Sequence, residues 1–147
     1  MTVAEATRVE RWIFTLLSQD GTIAGIIGNR VYAGIAPQTA QTPYVVMTQL
    51  SPGEDTPAAG GGRIWARPLY LIKAVTKSNS ATTLQVLADR METLLQGQKG
   101  GTTDVSIHYC VRERGFRLTT VEPPGSGDIY QHVGGEWRIA VAPTVNP

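Results

Sequence analysis

The chain is short of what several classes of function require. It has one cysteine in 147 residues, Cys110, so no internal disulfide and no paired-cysteine metal motif can form. That usage fits folding in a reducing cytosol and argues against secretion. Histidine is nearly as scarce: His108 and His132 stand alone, and neither sits at metal-ligand spacing from cysteines or carboxylates. No sign of charge dominates, with thirteen Lys plus Arg against twelve Asp plus Glu, which leaves no whole-chain attraction to nucleic acid or anionic lipid. No apolar run approaches the roughly 20 residues of a bilayer span, and the N-terminus lacks a basic stretch followed by an uninterrupted apolar one. The expectation is a soluble protein of a single domain, 1–147, long enough to remove about two-thirds of its unfolded surface from water.

Signatures of catalysis are missing as well. Gly60-Gly61-Gly62-Arg63 is glycine-rich, but a P-loop needs a spaced second glycine followed by Lys and Ser or Thr, and a dinucleotide fingerprint needs a strand-to-helix junction where a strand follows here. Asp128 and His132 can approach one another, yet no serine or cysteine is tied to them. Cys110 falls opposite the apolar face of its strand, either as a small packing residue or as a thiol at a subunit contact. Neither a catalytic residue nor a cofactor or metal site is assigned.

What the chain does have is strand and helix pattern broken by sixteen glycines and nine prolines. Thr2 and Glu5 have capping-box spacing and open a helix running to about Ser18. Its buried stripe is read as Ala6, Val9, Ile13 and Leu16, with Glu5, Arg8, Glu10 and Arg11 exposed and Trp12 and Phe14 flanking. Gln19-Asp20-Gly21 ends it, and Ile23, Ile26 and Ile27 suggest a short further turn. Arg30-Val31-Tyr32 and Thr42 to Met47 have the β-branched and aromatic content of strands, joined by a connector stiffened by Pro37 and Pro43. Leu69 to Thr76 alternates with both faces largely covered. Leu84, Leu87, Ala88, Met91, Leu94 and Leu95 fall at helical spacing over Ser80 to Gln96, with Gly97 as the stop. Val105, Ile107, Tyr109 and Val111 form the apolar face of another strand, which Gly115 breaks or bulges before a strand at Phe116 to Glu122. Pro123 to Gly127 reads as a loop and Glu136 to Ala142 as the last strand, which Ile129 to Val133 pairs with through Gly134-Gly135. The order gives an α+β fold: two main helices packed on a largely antiparallel sheet.

Ser51 to Gly62 holds two prolines, four glycines and two acids with no large apolar side chain. It cannot bury enough surface to order itself, and its strand-like flanks make it a mobile hairpin arm on the fold. Arg112, Arg114 and Arg117 are the densest basic group, and alternation places Arg112 and Arg114 on one strand face. They are a solvated or internally paired face, a contact to a neighbouring subunit's carboxylates, or phosphate contacts. Trp65 and Trp137 read as core or interface anchors rather than base-stacking platforms.

Asn29-Arg30-Val31-Tyr32, then Ala36-Pro37-Gln38, then Thr42-Pro43-Tyr44-Val45-Val46 resembles the tail-completion or tail-terminator proteins of long-tailed bacteriophages, a group often met as a domain of unknown function in prophage clusters. The likeness continues in order through the helices and strands above. The chain departs from the pattern in its long glycine-rich arm and in the insertion at Pro123 to Gly127. The resemblance implies a structural virion protein, not an enzyme, made in the host cytoplasm. It would form a ring, commonly a hexamer, that caps the tail-tube protein, stops its polymerisation and offers a surface to the head-tail connector protein. DNA would pass through without sequence-specific binding, and no membrane is involved. Interface candidates are then Ser51, Pro52, Gly53, Glu54, Asp55, Thr56, Gly60, Gly61, Gly62, Arg63 and Trp65 in the arm and its stem, with Arg112, Arg114 and Arg117. Another neck or tail-tube ring component, or a small ligand-binding domain or enzyme, are the alternatives.

Overall fold

The computed structural model describes residues 1–53, 55–57, 63–101, 105–122, 125 and 127–143. Its N-terminal helix α1 (Val3–Ser18) starts as its sequence dictates: Thr2 Oγ1 accepts the Glu5 N–H at 3.1 Å and Glu5 Oε2 accepts the Thr2 N–H at 2.9 Å. That reciprocal bond satisfies two orphan amides, and it buries Glu5, which the pattern had placed in solvent. The buried stripe is Val9, Trp12, Ile13 and Leu17, whereas Ala6 and Leu16 are only half-buried. The stripe is rotated: a second helix, α2 (Gly21–Ile27), packs beside α1 and shares the core with Leu17, while the Trp12 ring lies beside Gly100. Asp20 is the N-cap of α2, its Oδ2 accepting the Ile23 N–H at 3.1 Å. The same carboxylate takes the Arg90 guanidinium at 2.6 Å. A residue that looked like a helix stop therefore starts the next helix and ties it to α3 (Gln85–Leu95).

Helix α3 is shorter than its sequence pattern. Ser80 caps the start, its Oγ accepting the Thr82 N–H, but the first turn, Ala81–Leu84, is 3₁₀. Gly97, at φ 77°, follows the helix end.

The strands are β1 (Val31–Ala33), β2 (Tyr44–Ser51), β3 (Asp55–Pro57), β4 (Arg63–Ala66), β5 (Leu69–Lys77), β6 (Gly100–Gly101), β7 (Val105–Val121) and β8 (Ile129–Pro143). They form one sheet in the order β1-β2-β5-β8-β4-β3, with β7 along the other side of β8 and β6 on β7. Only β1 with β2 is parallel among the described pairs. The class is α+β, with the helices on one face of a largely antiparallel sheet. Val45, Met47, Tyr70, Ile72, Ala74, Trp137, Ile139 and Val141 of that face meet Val9, Ile13, Leu17, Ile23, Ile27, Leu87, Met91 and Leu95 in one core.

Strand β7 corrects two expectations. It runs unbroken for 17 residues and absorbs two slips against β8. Ile107 pairs with Val141 and Tyr109 with Ala140, so His108 is extra; Arg112 pairs with Trp137 and Arg114 with Glu136, so Glu113 is extra. Each extra residue inverts the alternation that follows. The first slip turns Cys110 into the core, where it is fully buried, not opposite it. The second separates two arginines that were expected on one face: Arg112 shares the helix-bearing face with Trp137, and Arg114 shares the other with Glu136. The break expected near Gly115 is this second bulge, one turn of the pleat earlier.

Glycine at 134 is required by the sheet: a Cβ there would run into the Ile72 carbonyl and the Lys73 Cα. No helix among the described residues is long and apolar enough to cross a membrane.

Candidate interaction surface

The arm forms the paired hairpin its flanks suggested. Strands β3 and β4 pair antiparallel, with Asp55 opposite Ala66 and Thr56 opposite Trp65. Of the arm's interface candidates, Glu54, Gly60, Gly61 and Gly62 lie outside the described residues, as does the Arg63 side chain. Pro52 and Asp55 are exposed, and Ser51, Thr56 and Trp65 half-buried. Trp65 packs edge-on against His108, the extra residue of the first bulge, with ring centroids 5.8 Å apart. Gly53 makes the tight entry to the arm at φ 71°, and a Cβ there would strike the Arg67 carbonyl. Asp55 Oδ1 receives the N-terminal ammonium at 2.8 Å.

The arm base is locked to the second bulge by one guanidinium. Arg138 donates through Nε to Glu113 Oε1 at 2.8 Å and through Nη2 to Glu113 Oε2 at 3.2 Å, while its Nη1 reaches the Arg67 carbonyl at 2.9 Å. This two-pronged pairing holds the Glu113 carboxyl below its ordinary range. The bulge therefore places Glu113 where it can orient the Arg138 guanidinium onto the carbonyl of Arg67, the residue that follows β4. Around the clamp, Ser51, Gly53, Arg67, Tyr109, Val111, Glu113 and Arg138 line an open cleft of about 800 Å³.

Of the arginine trio, Arg112 meets Glu92 of α3 at 2.9 Å, and its N–H bonds Gln96 Oε1 at 3.1 Å. Arg114 bonds Glu136. Arg117, exposed on β7, has no ion pair among the described residues. The structure thus brings no two of the three into a shared cluster.

A second cleft, of about 680 Å³, lies on the helix-free face between the Gly34–Ala40 connector and β2, β5 and β8; Tyr44, Lys73, Glu122, Asp128, Tyr130 and His132 are among its lining. Asp128 and His132 do share this cleft, but Asp128 meets Lys77 at 3.2 Å, and His132 Nε2 lies 2.9 Å from Thr120 Oγ1. The Nδ1 atom of His132 is buried with no partner among the described residues. Burial, followed by the nearby Lys73 charge, lowers the His132 pKa, and burial also lowers that of Lys73, whose ammonium sits 5.6 Å from the Phe116 ring centre. Sequence pattern missed this cleft because its lining comes from five separated segments. The one visible signal was Lys73 interrupting an otherwise apolar strand face.

Cys110 Sγ is not poised for nucleophilic chemistry: burial pushes its pKa up to about 12. Among the described residues no group of three His, Cys, Asp or Glu side chains could hold a metal.

No protein-family model and no curated protein sequence matches the chain. Among solved structures, a chain from the "Virion of native gene transfer agent (GTA) particle" superimposes with a TM-score of 0.71 at 17% identity, over 95% of this chain and 98% of that one. A second solved chain aligns over 98% of this chain and 94% of its own at 12% identity, with a TM-score of 0.48. The first likeness is one of fold, and it spans nearly the whole of both chains.

Proposed function

We propose that this protein is a structural, non-enzymatic virion component: a tail-terminator ring, hexameric on the pattern of the family its sequence resembles. The ring caps the tail-tube protein, stops its polymerisation and joins it to the head-tail connector while leaving a channel for DNA. The observation that carries the reading is the end-to-end match of fold to a chain of the gene transfer agent virion, taken with the order of motifs from Asn29 to Val46. Mechanism in this reading is geometric. One face complements the last ring of the tube, the other does not template another ring, and head-to-tail contacts in the plane close on themselves.

Two physical features support it. A formal net charge of +1 leaves little phosphate attraction to hold DNA in a lumen. The β3–β4 stem of the arm is anchored at its base by the Arg138 clamp and by the turn at Gly53, where a Cβ would strike the Arg67 carbonyl.

Deleting Gly53 to Gly61 tests the reading. The variant is expected to keep its far-UV circular dichroism and to fail to join tails, seen by electron microscopy as tubes without bound ends. Normal capped tails would overturn the arm's role. In the same images, intact protein decorating tube sides, or extending into filaments by itself, would replace the terminator reading with that of a tube component.

A further inference from the structure

Two strand edges among the described residues carry opposite charge. Strand β7 is paired with β8 along its whole length, but its other side has neighbours only near its start: β6 at Ser106 and Ile107, the Gly97 N–H on the Cys110 carbonyl at 2.8 Å, and the Gln96 side chain on the Arg112 N–H. From Glu113 to Val121 no strand lies alongside it among the described residues. Along these nine residues every other N–H and C=O pair points away from β8, and Leu118 and Val121 are close to half exposed. Proteins blunt such an edge with Lys, Pro or inward charge, and this stretch has none of the first two. At the far end, β3 pairs with β4 alone among the described residues, which leaves its outer side as a second open edge there.

We propose that the β7 edge of one protomer takes up the β3 edge of a second copy of this chain, continuing the sheet from subunit to subunit. The inference rests on the ring reading and names the contact that would close it. Charge chooses the occupant. Arg112–Val121 contains three arginines and one glutamate, whereas Ser51–Gly62 contains two carboxylates and no cation. Arg117, the arginine without an ion pair, lies on the helix-bearing face of β7, since it is opposite Val133. Asp55 lies on that same face of β3, opposite the buried Ala66, and its side chain is 48% exposed even with the N-terminal ammonium beside it. If the faces stay continuous, Asp55 comes against Arg117 while Thr56 comes against Phe116 or Leu118 on the opposite face. Main-chain pairing supplies affinity, and the face-matched charges supply register. The contact uses different surfaces of the two copies, which is the head-to-tail geometry a ring requires.

Thr56→Cys protein mixed with Phe116→Cys or with Leu118→Cys protein, oxidised and run without reductant, tests this. A directly opposed pair can be bridged only if the strands lie alongside, and the native Cys110 is too buried to compete. A cross-linked dimer is expected from one of the two mixtures, with monomer from each variant alone, and its loss when Arg117→Glu is added. Dimers from Leu118→Cys or Phe116→Cys alone would overturn the proposal by showing β7 paired with β7. Closed rings that form without a bridge at either position, or cross-linking only to an added tail-tube protein carrying a cysteine, would also overturn it while leaving the terminator reading standing. A chain that stays monomeric both in solution and on tail tubes would sink both.

Discussion

Position 132 shows how burial turns a single side chain into a pH dependence. His132 is 6% exposed, and its charged form loses hydration and meets the Lys73 charge, which Glu122 offsets only in part, so its folded pKa lies below the ordinary histidine value. Above the unfolded pKa of about 6.5 both states are neutral and stability is full. As pH falls through that value the unfolded chain takes a proton that the folded chain resists, and stability declines until the folded pKa is reached. Urea midpoints measured between about pH 8 and about pH 5 should therefore fall with acid, and His132→Gln should remove most of that slope. Asp20 acts in a separate window: the Arg90 guanidinium holds its carboxyl low, so its contribution is kept above the ordinary carboxylate range and lost only in stronger acid. An unchanged slope in His132→Gln would mean that the imidazole is hydrated in solution.

At the scale of elements, the interior of β8 is set by backbone proximity. Gly134 faces the Ile72 carbonyl so closely that any Cβ must displace a central strand. Gly134→Val should cost about 1–3 kcal/mol by overpacking, read as a lower denaturant midpoint with unchanged slope, whereas a variant as stable as the parent would show that β5 and β8 can part locally. The sequence made other elements legible to different depths, for physical reasons. The α1 cap was readable because a capping box is local: Thr2 and Glu5 contain all of its partners. Strand β5 was readable because alternation survives when nothing interrupts it. In β7 the alternation is interrupted twice, and a bulge leaves no mark in hydrophobicity, so Cys110 and the Arg112–Arg114 pair were assigned to the wrong faces. Helix α2 was legible only as a short turn at Ile23 to Ile27, because its cap, Asp20, is equally good as a stop for α1; Arg90, seventy residues away, ties that cap in place. The same reasoning separates the parts of the candidate surface. An acidic, glycine-rich arm is visible in composition, but the Arg138 clamp at its root joins Arg67, Glu113 and Arg138, which only the sheet brings together.

Across the whole molecule, α1, α2, α3 and every long strand contribute side chains to one buried cluster, and β8 pairs with β4, β5 and β7. No large part of the described chain can leave without exposing the core of the rest. We therefore expect residues 1–147 to unfold as a single cooperative unit with a stability of about 5–15 kcal/mol. The three tryptophans provide the probes: Trp12 and Trp137 sit in the core at opposite ends of the sequence, and Trp65 is half-buried on the hairpin. With Trp65→Phe, fluorescence reports the core alone and should give the same urea midpoint as far-UV circular dichroism. The comparison belongs at concentrations where the chain is monomeric, because association would raise the apparent midpoint by mass action. In the parent protein any excess transition at lower urea then belongs to Trp65, and so to the hairpin opening ahead of the core. Core probes that disagree with circular dichroism would instead divide the chain into independent units, and the arm could no longer be regarded as a projection from one rigid body.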